Sequence, residues 1–117
     1  MVIEQGEIYW VALGEPGGSE PGYRHPHIVV QNNLFNSSKI NTVVMCSLTS
    51  NIKRGLSPGN VVLNKSETGL PKKSVVNITQ IYTVDKNDLC EKIGKVTNER
   101  IKEILRGIQL LTEPREL

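Results

Sequence analysis

Only one stretch of this chain repeats apolar residues at helical spacing: Ile101, Ile104, Leu105, Ile108 and Leu111 fall on one face. Thr97 can cap its start, and Glu99 sits in the first turn, where the peptide dipoles favour a negative charge. Val96 can pack on Ile101 as a staple, and Pro114 follows the end. The chain before this helix is short apolar runs broken by Gly, Pro, Asn and Ser. Glu7 to Leu13, Pro26 to Gln31, Thr42 to Leu48, a run opening at Val61 to Leu63, Ser74 to Ile78 and Ile93 to Val96 are rich in β-branched residues and predict strands. The 117 residues suffice for one domain, 1–117, with a modest core. Several strands and one terminal helix predict a mainly β fold, a small barrel or curled sheet with the helix packed on it.

Charge and cysteine usage narrow the classes. A formal charge of +2 lacks the strong basic bias of a protein that coats nucleic acid, so any contact with an anionic polymer must be a local patch. No apolar run reaches the length of a membrane helix, and the N-terminus has neither the basic start nor the apolar core of a signal peptide. Cys46 and Cys90 stand far apart, which suits reduced thiols in the cytoplasm. Cys46, Cys90, His25 and His27 show no metal-ligand spacing, so no metal or other cofactor is expected.

The polar chemistry concentrates between Gly22 and Asn32. Here Arg24, His25, Pro26 and His27 run directly into Ile28-Val29-Val30, and Gln31 and Asn32 close the stretch. A Pro that fixes the entry to a buried strand can hold a cation and an imidazole in set geometry. If the strand begins at Pro26, His27, Val29 and Gln31 share one face while Ile28 and Val30 share the other. The preceding segment, Gly14 to Gly22, is dense in turn formers and is expected to be a mobile loop. The third run ends on hydroxyls, Thr49 and Ser50, and the turns beyond carry Lys53, Arg54, Lys72 and Lys73, each either a phosphate contact or ordinary surface.

Taken in order, Gly6-Glu7-Ile8-Tyr9-Trp10, Gly18-Ser19-Glu20, the Arg-and-Pro entry to Ile28-Val29-Val30-Gln31-Asn32, Ser47-Leu48-Thr49 and Gln80-Ile81-Tyr82-Thr83-Val84-Asp85-Lys86 resemble the MazF/PemK family of toxins from bacterial toxin–antitoxin pairs. The resemblance implies an SH3-like barrel with a C-terminal helix and a homodimer. It also implies a metal-independent endoribonuclease that cuts single-stranded RNA at short sequences and is held in check by a cognate antitoxin protein. It places Thr49 in the catalytic pair and Ser19, Glu20, Asn32 and Gln80 along the RNA groove. Apart from the resemblance, the amide of Gln31, the hydroxyl of Ser50 and the cation of Lys53 are further candidate RNA contacts. The family's Arg directly precedes its Pro; here His25 does, and Arg24 lies one residue earlier.

Internal RNA cleavage needs a proton taken from the 2′-OH, a proton given to the leaving 5′-oxygen, and donors aimed at the phosphoryl oxygens. An imidazole suits proton transfer near neutrality far better than a guanidinium. One arrangement has Arg24 clamping the phosphate, His25 moving the proton and Thr49 donating a hydrogen bond; the other keeps Arg24 in the usual catalytic place. Two rivals share the fold: a CcdB-like toxin that poisons DNA gyrase by binding, and a non-catalytic RNA-binding module.

Overall fold

The computed structural model describes residues 2–13 and 23–116. Six strands form one antiparallel sheet: β1 (Glu7–Ala12), β2 (Arg24–Val29), β3 (Thr42–Thr49), β4 (Val61–Leu63), β5 (Ser74–Asp85) and β6 (Leu89–Lys95), in the spatial order β4-β5-β3-β2-β1-β6. Two single-turn helices, α1 (Asn33–Asn36) and α2 (Lys65–Thr68), sit in the connections, and α3 (Asn98–Thr112) ends the chain. The fold is the expected one, a curled half-barrel with a C-terminal helix.

Curling follows from burial on both faces. One face carries Ile8, Ile28, Val30, Cys46, Leu48, Leu63, Val76 and Ile78 against Ile101 and Ile104 of α3; the other gathers Tyr9, Val11, Val29, Val43, Met45, Val84 and Leu89. Alternation along β2 therefore runs as the spacing predicts, with Ile28 and Val30 facing away from Val29. At Ser47 a bulge in β5 sets Asn77 opposite Ser47 but Ile81 opposite Cys46, so β5 bends round the end of the sheet. Asn60 stabilises the bend, because its Oδ1 accepts from the Ile78 N–H (3.0 Å) while its Nδ2 donates to Asn77 Oδ1 (2.9 Å). The sheet's outer strands approach through α2: a Cβ on Gly94 of β6 would lie 2.3 Å from the Thr68 carbonyl oxygen. Arg100 Nε donates to Glu67 Oε1 at 2.8 Å and so ties α3 to the same turn.

Several boundaries differ from the sequence reading. β2 starts at Arg24, not Pro26, and Pro26 pairs with Trp10 inside it. The ladder to β3 begins only at His27, so Pro26 and the two residues before it border β1 alone, where a missing N–H is tolerated. β5 continues to Asp85, past the Ile78 where the apolar pattern stops, because its second half is exposed and held by backbone pairing to β3. β6 likewise begins at Leu89, ahead of Ile93, through polar residues paired with β1. The polar connection after β2 contains α1, capped by Asn32, whose Oδ1 accepts from Leu34 N (3.1 Å) and Phe35 N (3.3 Å). No helix among the described residues is long and apolar enough to cross a membrane.

Candidate functional site

The sheet opens where β2 and β3 part company. Pairing stops at His27↔Ser47, and the same antiparallel register carried two residues further sets His25 opposite Thr49 and, between them, Pro26 opposite Leu48. One residue beyond His25, Arg24 comes opposite Ser50. Since side chains alternate along a strand, His25, His27, Ser47 and Thr49 belong to one face and Arg24, Pro26, Leu48 and Ser50 to the other. Between the parted strands lies a cleft of about 240 Å³ to which Arg24, His25 and Ser50 all contribute.

His25 is half-buried and held from two sides. Tyr23 stacks on it (centroids 6.0 Å, planes 26° apart) with its hydroxyl oxygen 3.2 Å from His25 Nδ1. That hydroxyl can donate to a bare Nδ1 or accept from a protonated one, so it orients the ring in either tautomer. On the far side His27 meets the ring edge-on at 5.5 Å. Across the fork, Thr49 Oγ1 accepts from the Asn51 N–H (3.2 Å), which leaves the hydroxyl hydrogen free to donate outward.

His27 is fully buried, and its ring is set by its neighbours. Nδ1 lies 3.1 Å from the His25 carbonyl oxygen, an acceptor only, so Nδ1 bears the hydrogen and Nε2 the lone pair. That Nε2 is buried with no hydrogen-bond partner among the described residues, and Tyr82 packs edge-on at 5.5 Å. Burial pushes the His27 pKa below the ordinary imidazole value; its hydrogen bond to His25 opposes this, and the His25 charge adds to it. Below about pH 6.5, therefore, the unfolded chain takes up a proton that the folded chain refuses, and stability falls as the pH drops from there toward the depressed folded value. Denaturant titrations between pH 7.5 and 5 should show this fall, and His27→Phe should flatten it. An unchanged slope in His27→Phe would assign the acid loss to other groups.

The remaining sequence-predicted residues are not gathered at the fork. Gln31 lies six residues from His25, about 20 Å along an extended strand. It serves the framework there, its Nε2 donating to Asn36 Oδ1 (2.9 Å) and its Oε1 accepting from Val44 N (3.2 Å). Asn32 uses its Oδ1 to cap α1. Gln80 is exposed in the β5 bulge and accepts from Asn77 Nδ2 (3.3 Å), while Lys53 is exposed on the 3-10 turn Ile52–Leu56. Ser19 and Glu20, with the loop expected to be mobile, lie outside the described residues. Conversely, Tyr23 belongs to the His25 surroundings and Tyr82 to those of His27, and neither was singled out by sequence. Tyr23 had one signal, its i,i+2 spacing from His25 on what proves to be a strand entry. Cys46 is buried in the core, which pushes its thiol up to about 12 and leaves it a packing group.

The antiparallel half-barrel with one terminal helix is a fold shared with small toxins of known structure. The structure superposes on an endoribonuclease solved with its cognate antitoxin from a mycobacterial species with a TM-score of 0.76 at 26% identity, covering 97% of this chain and 99% of that one. It matches MazF from Deinococcus radiodurans with a TM-score of 0.71 at 21% identity, covering 95% and 96%. In sequence it is 43% identical over 109 residues to Endoribonuclease MazF6 of Mycobacterium tuberculosis, covering 93% of this chain and 96% of that protein. Residues 4–112 match the family of PemK-like, MazF-like toxins of type II toxin-antitoxin systems, and the chain belongs to that family.

Proposed function

We propose that this chain is the toxin of a toxin–antitoxin pair and a metal-independent endoribonuclease acting on single-stranded RNA in the cytoplasm. The observation that carries the reading is an imidazole, His25, oriented by Tyr23 just beyond the point where β2 and β3 stop pairing, with Thr49 ending β3, in a chain 43% identical to a named endoribonuclease. In this reading His25 takes the proton from the ribose 2′-OH as that oxygen forms its bond to phosphorus. The bond from phosphorus to the 5′-oxygen breaks and the departing oxygen takes a proton from solvent water while His25 later returns its proton to solvent, so the products are a 2′,3′-cyclic phosphate and a 5′-hydroxyl. Thr49 donates to a phosphoryl oxygen and Arg24, one residue from His25, holds the neighbouring phosphate. Ser50 adds a donor in the cleft, and Lys53, Gln80, Ser19 and Glu20 would contact the RNA beyond the fork.

The exposed apolar residues Ile81, Tyr82, Leu105, Leu110 and Leu111 suit a second copy of the chain, and an antitoxin segment that orders on binding would cover the fork. The test is to incubate the purified protein, with chelator present, with mixed-sequence RNA and the same sequence as DNA, and to weigh the new ends. Cuts in RNA alone at one short motif, with cyclic phosphate ends, are expected. Intact RNA after treatment with folded protein would shift the reading to a toxin that binds a protein target or to an inactive RNA-binding module.

A further inference from the structure

The cleft at the fork has a floor as well as a rim, and its lining is that of a site for a flat ring. Trp10, Pro26, Leu48, Leu70 and Pro71 present apolar surface into it, and Arg24 and Lys72 bring two cations to its edge; none of the described lining residues is Asp or Glu. Its volume of about 240 Å³ accepts one planar ring system rather than a folded segment of protein. Leu48 and Leu70 are buried and Trp10 is partly buried against the core, so the apolar walls are fixed by packing, while Lys72 is exposed and free to reach in. The same β2 and β3 residues that wall the cleft alternate with His25 and Thr49.

We propose that this cleft is a nucleobase subsite: one base of the bound RNA, next to the scissile phosphate, inserts between Trp10, Pro26 and Pro71, with Arg24 and Lys72 at its edge. This rests on the reading of the chain as an endoribonuclease and adds where one position of the cut sequence is recognised. Stacking on an aromatic ring is available to any base, whereas two cationic donors favour a base edge rich in acceptors, such as guanine O6 and N7 or the uracil carbonyls. His25 also lines this cleft, so a base held here leaves its neighbouring phosphate beside that imidazole.

Trp10 is the chain's single tryptophan, so its emission reports on this cleft alone. The probe is a set of 2′-deoxy oligonucleotides, which lack the attacking hydroxyl, identical except for one base or one abasic position. Saturable quenching of Trp10 that disappears when one position is abasic is expected, together with a preference of at least about tenfold for guanine or uracil there. In Lys72→Ala, an exposed change that spares the core, that preference should fall several-fold. Unchanged Trp10 emission while anisotropy shows the oligonucleotide bound would overturn the subsite, as would quenching by an acidic peptide but not by any oligonucleotide. RNA cutting by the wild type in the same preparation separates the two ideas. Cutting without a Trp10 response removes the subsite only, and a base-dependent Trp10 response without cutting keeps the subsite and removes the endoribonuclease.

Discussion

His25→Ala should lower the rate of RNA cutting by about 10²–10⁴-fold, the usual contribution of a positioned acid or base, and remove the pH limb that such a group gives to the rate profile. The fold should survive, because His25 is half-buried at a fork rather than in the core, and its backbone carbonyl, which holds His27, is retained. Arg24→Ala should instead weaken RNA binding, flatten the salt dependence and leave the shape of the pH profile intact, since a guanidinium keeps its charge throughout the accessible range. Thr49→Val, close in size, should slow cutting by removing one donor to the phosphoryl group without moving the pH limb. The pattern across the three variants decides the roles. Loss of the pH limb in Arg24→Ala and its persistence in His25→Ala would reverse the assignment and restore the arginine as the reacting group.

The sequence made the framework legible where burial and spacing agree. Helix α3 runs almost as its apolar face and Thr97 cap predict, and β4 opens at Val61 as its apolar run predicts. It failed where backbone pairing decides the structure. Thr79 to Thr83 are exposed and irregular in polarity, and only the ladder to β3 and the bend fixed by Asn60 make them strand. The start of β2 differs for a related reason: Pro26 looks like a strand start, yet the chain is already extended at Arg24 because β1 supplies a partner on one side. That two-residue shift leaves the alternation of side chains unchanged but brings Arg24 and His25 into the strand, where pairing to Ala12 and Val11 holds them instead of a loose loop. Gln31 and Asn32 show the opposite trap. Amides near a motif suggest base reading, but these two close the turn between β2 and α1.

Gly107→Ala should destabilise the fold by about 2–3 kcal/mol even though alanine is the better helix former by about 1 kcal/mol. Helix α3 lies directly on the turn between Leu56 and Val61: a Cβ at Gly107 would sit 2.2 Å from the Gly59 carbonyl oxygen and 3.2 Å from Ile78 Cγ2. Neither neighbour can step aside cheaply. Gly59 holds a left-handed φ of +80° that fixes its carbonyl, and Ile78 is anchored at the β5 bend through its N–H to Asn60. The helix would have to lift, loosening Ile101 and Ile104 from the core, and a loss on the scale of large-to-small core changes follows. Lys102→Ala, exposed on the same helix, should be near neutral or slightly stabilising and controls for helix propensity. Denaturant midpoints at unchanged slope measure both, and a Gly107→Ala midpoint at or above wild type would show that the helix and turn are not in contact as described. No α3 residue lines the fork among the described residues, so the folded fraction of Gly107→Ala should cut RNA at the wild-type motif. A changed motif in that variant would mean that the helix, and not only β2 and β3, shapes the site.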